Sequence, residues 1–306
     1  MLRRLFSGLS TSKSLRALAE RSSLGLRLSR RFVAGTTLPE AVAVIQSLNA
    51  LGCAVSIDHL GENVSKVEEA RCSAQSYHDI LEAIRAHGLN ANISIKLTHL
   101  GLDIDPQAAK ELVCALVNHA AQLDNFIRVD MESSAYTQRT LDLVRELHGR
   151  VKGSDSLGTV IQASLYRSER DVEQLCAQGV RIRLCKGAYL EPPSIAFPKK
   201  ADVDANYVRL MKMLLKSGLY HGIATHDPRM IQETFRFAAQ EKIARDAFEF
   251  QMLYGVRRDL QQQIVREGWR MRIYVPFGAE WYPYFMRRLA ERPANVLFLA
   301  RNLFRG

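Results

Sequence analysis

Residues 272–295 read RIYVPFGAEWYPYFMRRLAERPAN. Residues 272–275 carry β-branched and aromatic side chains, which predicts a short strand. Pro276 and Gly278 are expected to end that strand, because proline lacks a backbone donor and glycine favours a turn. The pattern from 281 to 292 is helical, so this stretch predicts a strand–turn–helix unit.

A pair of arginines lies on this predicted helix. Arg287 precedes Glu291 by four residues and Arg288 precedes it by three, so the carboxylate can pair with either guanidinium group. The other guanidinium would then be available for a planar carboxylate, which arginine binds through two parallel hydrogen bonds. The pattern favours a small carboxylate ligand. An Arg-Arg pair on a late helix of a basic protein is also typical of a solvated surface.

The rest of the chain repeats a strand–helix unit with a period of about 30 residues. Candidate strands lie at 54–59, 92–97, 126–131, 159–164, 181–186, 222–225, 248–252 and 272–275. Amphipathic helices are predicted at 65–86, 106–122, 137–147, 169–177, 203–216, 228–240, 256–267 and 281–292. Alternating units of this kind imply a parallel α/β sheet, and eight of them predict a (βα)8 TIM-like barrel. A doubly wound sheet is disfavoured because no G-x-G-x-x-G turn follows an early strand.

The composition is that of a folded protein with a large core. The chain has 306 residues, of which 47% are apolar, enough for one barrel-sized domain or two smaller ones. No stretch approaches the roughly 18 consecutive apolar residues of a membrane-spanning helix. The five cysteines show no C-x-x-C spacing, which indicates a reducing, cytoplasmic compartment. The spacing of the eight histidines predicts no metal site.

The net charge of +10 is concentrated at the beginning of the sequence. Residues 1–31 contain eight lysines and arginines and one acidic residue, a net +7, so the remainder carries only +3. That remainder is too weakly charged to form a nucleic-acid platform, and no nucleic-acid partner is expected. We therefore divide the chain into a basic helical N-terminal extension, 1–38, and a barrel, 39–306.

Three interpretations of the extension stay open. Its composition suits a mitochondrial transit peptide, a pair of basic amphipathic helices that touch an anionic membrane or pack on the body, and a solvated helical lead-in. The second is favoured, because no cleavage-site pattern separates the extension from the helical segment after Thr37. It predicts a peripheral contact through residues 1–31 at the inner face of a membrane.

Polar residues end or follow every predicted strand. In such barrels the chemistry gathers at the carboxyl ends of the strands, so eight polar residues in one ring predict a polar pocket. They are Asp58, Lys96, Asp130, Gln162, Lys186, His226, Gln251 and Tyr274. Each lysine could be a Schiff-base nucleophile, an anion clamp or a structural cation. His226 is either a titratable group at a helix start or a structural histidine. Gly187 offers free backbone donors to a flat or phosphorylated ligand.

Six motifs together resemble the proline dehydrogenase family, in its short, single-function bacterial form. They cover nearly the whole chain in the family's order, and their combination is specific although each alone is weak. They are residues 94–98 (SIKLT), 128–132 (RVDME), 183–189 (RLCKGAY), 224–227 (ATHD), 248–255 (FEFQMLYG) and 272–291. The resemblance implies a distorted (βα)8 barrel that binds FAD, oxidises L-proline to Δ1-pyrroline-5-carboxylate and passes the electrons to a membrane quinone.

The resemblance also implies residue roles. The substrate carboxylate would be held at the positions of Lys96, Arg287 and Arg288, with Asp130 or Glu291 balancing their charge. Tyr274 and Leu253 would pack on the proline ring, and Tyr274 favours unmodified proline over hydroxyproline. The implied catalytic residues are Asp130, which orients its basic neighbours, Arg183, close to the reactive flavin nitrogen, and Tyr274.

The resemblance also implies a set of FAD contacts. They are Met131, Gln162, Arg183, Lys186, Gly187, Ala188, Thr225, His226 and Glu291. Two residues depart from the family pattern: Cys185 replaces an aliphatic residue, and Leu190 stands where relatives often carry an aromatic. Both concern packing at the flavin edge, and Cys185 is expected to be an apolar filler and not a reactive thiol.

Two functions of other classes remain as alternatives. The first is a Schiff-base aldolase-like barrel with Lys96 or Lys186 as nucleophile, which borohydride trapping would reveal. The second is a basic adaptor that binds nucleic acid or membrane through residues 1–31, which predicts strongly salt-dependent binding. Flavin absorbance in the purified protein would exclude the first alternative.

Overall fold

The computed structural model describes residues 22, 25, 27, 29–61, 63–148 and 156–291, including the backbone but not the side chains of 287 and 289–291. Most of the predicted extension, the side chains of Arg287 and Glu291, and residue 292 lie outside the described residues. The predicted pairing of Arg287 or Arg288 with Glu291 falls there as well.

Eight parallel strands form a closed barrel in sequence order, with β8 pairing to β1. They are β1 (Ala54–His59), β2 (Ala91–Ile95), β3 (Ile127–Val129), β4 (Leu157–Gln162), β5 (Arg181–Cys185), β6 (His221–Ala224), β7 (Phe248–Leu253) and β8 (Met271–Phe277). The predicted TIM-like barrel is confirmed.

The predicted end of β8 is wrong. The strand continues through Pro276 to Phe277, and Pro276 stands in register with Asp58 of β1. A proline at the end of a strand removes only one donor from the ladder. Its carbonyl still accepts a hydrogen bond from the Ala34 N–H at 2.9 Å, so the segment before the barrel completes the pairing at this end.

Nine helices lie in the described part of the chain. They are α1 (Leu38–Ala50), α2 (Val67–Ala86), α3 (Pro106–Gln122), α4 (Ser134–His148), α5 (Ser168–Ala177), α6 (Lys200–Lys216), α7 (Pro228–Gln240), α8 (Arg258–Arg266) and α9 (Trp281–Glu291). A short 3-10 turn, Thr98–Leu100, follows β2. Asp105 and Asp227 cap α3 and α7 by accepting backbone N–H bonds, and a proline follows each cap.

The predicted starts of two helices lie three residues after the observed starts. Helix α4 begins at Ser134 because Glu191, from a distant loop, accepts hydrogen bonds from both the backbone N–H and the hydroxyl of Ser134, at 2.7 and 2.5 Å. Helix α6 begins at Lys200, where Lys200 and Asp204 form an ion pair one turn apart. Tertiary contacts and local charge pairs therefore extend helices beyond their hydrophobic pattern.

A simple barrel would pack the helix after β8 against β8 and β1, but here the first helix takes that place. Helix α1 packs against both β1 and β8 and buries Ala41, Val42 and Ile45 there. Helix α9 instead belongs to a separate apolar cluster with side chains that follow the carboxyl ends of other strands. The cluster consists of Phe32, Val33, Leu60, Val256, Trp281, Tyr282, Tyr284, Phe285 and Met286, with Leu253 packed against it. Helix α9 therefore lies at the mouth of the barrel.

A buried histidine links β5 to β6. His221 is fully buried, its Nδ1 accepts the Ile182 N–H at 2.9 Å, and its Nε2 lies 2.9 Å from the Ser217 hydroxyl. Because Nδ1 is an acceptor, the ring is neutral with its proton on Nε2. Burial, together with the nearby Arg128, lowers the pKa of His221 to about 3.

We expect His221 to make stability depend on pH. At a pH below the ordinary histidine pKa of about 6.5, His221 binds a proton in the unfolded chain but stays neutral in the folded chain. The free energy of unfolding therefore falls with acidification, by about 1.4 kcal/mol per pH unit. Denaturant unfolding of the wild type and of His221→Gln at pH 7, 6 and 5 measures this slope. The variant should lose it, and a control variant of the exposed His87, His87→Gln, should keep it. Equal slopes in wild type and His221→Gln would contradict the assignment.

Candidate active site

A buried ion pair lies where β1 and β2 open into the mouth. Lys96 Nζ lies 3.0 and 2.9 Å from the two carboxylate oxygens of Asp58. The Asp58 side chain is 1% exposed and that of Lys96 is 12% exposed. Burial raises the pKa of Asp58, and the lysine acts against that shift. A buried carboxylate of this kind depends on its cation to stay charged.

A second buried carboxylate joins three strands. Asp130, which follows β3, accepts hydrogen bonds from Arg183 Nη1 on β5 and from the Tyr274 hydroxyl on β8, both at 2.7 Å. The guanidinium carbon of Arg183 also lies 5.1 Å from the centre of the Tyr274 ring. Burial and the negative charge of Asp130 raise the pKa of Tyr274 well above its usual value, so Tyr274 remains a donor.

The remaining nitrogens of Arg183 are bound as well. Its Nη2 donates to the hydroxyls of Ser56 and Ser94 at 3.1 Å each, and its Nε donates to the side-chain oxygen of Gln251. Ser56 and Ser94 are 3.0 Å apart. Small residues on β1 and β2 thus leave space for a guanidinium group from the opposite side of the barrel. The predicted pocket residues Asp130, Arg183 and Tyr274 form one network.

Gln162 and Glu132 join the loops after β3 and β4. The Gln162 amide donates to the Glu132 carbonyl at 2.9 Å. The Glu132 carboxylate accepts from the Thr98 hydroxyl at 2.6 Å and from the Thr98 N–H at 3.3 Å. Met131 is buried in the apolar core between strands and helices. Gln162 therefore has a fixed orientation beside the mouth, while Met131 serves packing.

Lys186 lies in a cluster of charged residues at the edge of the mouth. Its Nζ is 2.5 Å from Asp204 and 2.8 Å from Asp227. Lys200 and Arg229 contact the same two carboxylates, and both are largely exposed. Three cations thus face two anions, which leaves the cluster with a net positive charge. Sequence reasoning had no signal for Asp204, Lys200 or Arg229, because they lie within the helices α6 and α7 and not at the ends of strands.

Gly187 and Ala188 are exposed beside this cluster. Gly187 has φ +109°, and a Cβ at this position would lie 2.3 Å from the Ser164 hydroxyl oxygen. Only glycine fits here, so the backbone approaches β4 closely and presents an open surface. Burial raises the pKa of Cys185 to about 11, which keeps this neighbouring side chain a thiol.

The loops after β6 and β7 meet through His226. Its Nε2 accepts the Leu253 N–H at 2.9 Å, so the ring fixes the end of β7. Thr225 is buried, and its hydroxyl accepts the Asp227 N–H at 3.1 Å. These contacts give both predicted cofactor residues a structural role as well.

Helix α9 carries Arg288 next to Tyr284. Arg288 is half-buried, and its guanidinium carbon lies 5.0 Å from the ring centre of Tyr284, four residues earlier on the same helix. Tyr284 belongs to the apolar cluster that also packs on Leu253. The predicted substrate residues Leu253 and Arg288 therefore lie on neighbouring elements of the mouth.

The structure describes one of the two predicted charge-balancing residues. Asp130 or Glu291 was expected to balance Lys96, Arg287 and Arg288; Asp130 pairs with Arg183, and the side chain of Glu291 lies outside the described residues. Lys96 is balanced by Asp58, which the sequence placed in the ring of polar residues without a partner. The reason is geometric: β1 and β2 are neighbours in the barrel, so Asp58 reaches Lys96 directly.

Comparison with known proteins identifies the family of this chain. The proline dehydrogenase family model matches residues 41–301, most of the chain. The chain belongs to the proline dehydrogenase family. It is 40% identical to proline dehydrogenase 1 of Bacillus subtilis, over the whole length of both proteins, and 41% identical to the proline dehydrogenase of Deinococcus radiodurans, over 91% of each.

A solved structure of a larger relative has the same fold. The proline utilization A protein of Bdellovibrio bacteriovorus, inactivated by N-propargylglycine, superposes with a TM-score of 0.81 at 25% identity. The match covers 87% of this chain and 33% of that one. The proline dehydrogenase family is flavin-dependent. No helix in the described part of the chain is both long and apolar enough to cross a bilayer.

The Schiff-base alternative finds no support in this setting. A Schiff-base lysine reacts as the neutral amine. Lys96 and Lys186 are both held in ion pairs with aspartates. Each side-chain nitrogen is thus engaged with a carboxylate.

We expect Lys96 and Asp58 to depend on each other for stability. Lys96→Met would leave the Asp58 carboxylate buried without its cation, and the free energy of unfolding should fall by about 3 kcal/mol. The double variant Lys96→Met/Asp58→Asn should regain most of that loss, because no buried charge remains. Equilibrium unfolding of the two variants measures the difference. A double variant no more stable than Lys96→Met would show that the pair is not coupled.

Proposed function

We propose that this protein binds FAD at the barrel mouth, oxidises L-proline to Δ1-pyrroline-5-carboxylate and passes the electrons to a membrane quinone. The oxidation of proline follows from membership of the proline dehydrogenase family. The observation that carries the site assignment is Asp130, which holds Arg183 and Tyr274 together next to the Lys96–Asp58 pair.

The substrate would bind between this network and helix α9. Lys96, Arg287 and Arg288 are proposed to hold the proline carboxylate. Because Asp58 already offsets the charge of Lys96, the two arginines supply most of the positive charge for the ligand. The Tyr274 ring and Leu253 would pack on the apolar ring of the substrate.

The geometry beside β4 and β5 fits an extended anionic cofactor. Gly187 presents open backbone where a side chain would clash, and the adjacent Lys186 cluster has a net positive charge. Lys200 and Arg229 are exposed enough to turn toward a diphosphate. Gln162, Ala188, Thr225 and His226 border the same side, with Met131 beneath it, and Glu291 would reach it from α9. When bound, FAD supplies the acceptor for the hydride that leaves the carbon beside the proline nitrogen.

The chain's own residues would orient the substrate and stabilise charge. Hydride transfer requires the reacting carbon to be held about 3–3.5 Å from the acceptor, which is the task of the carboxylate clamp. Arg183 is fixed in place by its neighbours, so its positive charge is preorganised for negative charge that develops on the acceptor. Tyr274 stays neutral because of its raised pKa and keeps its donor on Asp130.

The electron acceptor and the membrane contact form a second part of the proposal. Residues 1–38 would form a basic extension of the barrel domain 39–306, and residues 1–31 carry a net +7. Such a segment is attracted to anionic lipid, worth about 1 kcal/mol per basic residue near the surface. Peripheral binding through it would bring a cytoplasmic enzyme to its quinone.

The absorbance spectrum of the purified protein tests the function most simply. The protein should carry the absorbance of an oxidised flavin, and anaerobic L-proline should bleach it. Extraction of the cofactor followed by chromatography distinguishes FAD from FMN. A colourless protein that neither binds added FAD nor oxidises proline would overturn the proposal.

We expect Arg288→Lys to raise the KM for proline at least tenfold, because a lysine cannot replace the two parallel hydrogen bonds of a guanidinium group. Steady-state kinetics with a soluble quinone measure the effect. Arg266→Lys, at the end of α8, serves as the matched control and should keep the wild-type KM. An unchanged KM in Arg288→Lys would remove Arg288 from the carboxylate clamp.

A further inference from the structure

We propose that Gln251 is a positioning residue that holds Arg183 in its working orientation, through a hydrogen-bonded chain that starts at Arg272 below the mouth. The inference rests on the proposed function, in which Arg183 stabilises negative charge on the cofactor. Gln251 itself is buried in the barrel and acts through Arg183.

Gln251 is the side chain that fixes the near end of the Arg183 guanidinium group. Asp130 binds Nη1 and the two serines bind Nη2, at the far end of the group. Gln251 binds Nε, where the group joins its aliphatic stem. A planar group bound at both ends cannot rotate about its long axis, so Gln251 fixes the direction in which the charge points.

A buried carboxylate sets the orientation of the Gln251 amide. Gln251 Nε2 donates to Glu249 Oε1 at 2.6 Å, and the same oxygen accepts from Arg272 Nε at 2.7 Å. An ionised carboxylate only accepts hydrogen bonds, so the amide must turn its nitrogen toward Glu249 and its oxygen toward Arg183. In the flipped amide, the Gln251 nitrogen would face the Arg183 N–H, so that two donors meet. The Gln251 oxygen would face Glu249 Oε1, so that two acceptors meet.

Glu249 is ionised despite its burial. Burial acts to raise its pKa, but Arg272 and Arg128 outweigh burial and lower it. Tyr220 donates to its second oxygen at 3.0 Å. Arg272 is anchored in turn by its Nη1, which donates to the Val55 carbonyl at 2.7 Å. The chain from Arg272 to Arg183 is therefore held at both ends.

Strand β6 leaves the space that this arrangement needs. A Cβ on Gly222 would lie 2.3 Å from Gln251 Nε2, far inside van der Waals contact. Gly222 stands in register with Glu249 on the neighbouring strand, and its φ is not positive. A side chain at this position would thus displace the Gln251 amide without straining the backbone. Gly222→Ala is a second way to disturb the same contact.

Gln251→Met keeps the length of the side chain and removes both hydrogen bonds. The carboxylate clamp is held separately, since Lys96 is paired with Asp58 and Arg288 comes from α9. We expect a fall in kcat of about tenfold, with KM for proline within about twofold of wild type. The midpoint potential of the bound flavin should become about 30 mV more negative. For a two-electron couple this shift corresponds to a tenfold change in the equilibrium constant for reduction.

The experiment measures kcat, KM and flavin potential for the wild type, Gln251→Met, Gly222→Ala and Thr234→Val. Thr234 is fully buried and donates only to a carbonyl of its own helix, α7, so Thr234→Val controls for the general cost of losing a buried hydrogen bond. It should keep the wild-type potential. Gln251→Met and Gly222→Ala should both show the lowered kcat and the shifted potential. If Gln251→Met fails to fold, Gly222→Ala carries the test.

Two outcomes overturn the positioning role and leave the proposed function intact. The first is a wild type that proline reduces, with kcat and potential unchanged in both Gln251→Met and Gly222→Ala. The second is loss of the fold in both variants while Thr234→Val remains folded, which would make Gln251 a structural residue of the barrel. A wild type that binds no flavin and oxidises no proline overturns the proposed function, and the inference with it.

Discussion

The two hydrogen bonds of Asp130 hold the mouth of this barrel together. One carboxylate, directly after β3, is joined to β5 and β8 through Arg183 and Tyr274 at 2.7 Å each. Its own backbone N–H remains bound to Ile95 at the end of β2, so the side chain is aimed by the sheet. Four of the eight strands thus meet at one anion. Without it, Arg183 would lose its carboxylate partner and the Tyr274 hydroxyl would lose its acceptor.

The interior of the barrel is filled with paired charges where many barrels have branched apolar side chains. Burying an isolated charge is costly, and the structure meets that cost by pairing each anion with a cation from a neighbouring or opposite strand. Asp58 pairs with Lys96, Asp130 with Arg183, and Glu249 with Arg272. Glycines and serines on β1, β2 and β6 leave room for the long side chains. The result is a rigid polar core that opens at the barrel mouth.

The sequence predicted the barrel because each strand and helix has its own hydrophobic period, and the observed elements lie where those periods occur. It also placed Asp130, Tyr274 and Lys96 at one end of the strands, and the family resemblance added Arg183. It could not assign their partners, since pairs such as Asp58–Lys96 and Gln251–Arg183 depend on strand register and on side-chain length across the barrel. Two boundaries likewise depend on contacts between segments far apart in sequence. Glu191 binds the first residue of α4, and Ala34 binds the carbonyl of Pro276 in β8. The position of α9 at the mouth follows from α1 covering β8 and β1, which no local pattern reveals.

A crystal structure with FAD and a five-membered ring carboxylate that lacks the ring nitrogen is the most direct test of this account. Such a molecule keeps the carboxylate and the shape of proline but cannot be oxidised at the same bond. The account predicts carboxylate oxygens at hydrogen-bond distance, about 3 Å, from Lys96 Nζ and the Arg288 guanidinium group, with the ring against Tyr274. A ligand bound elsewhere, with Arg288 turned to solvent and no contact to Lys96, would contradict it.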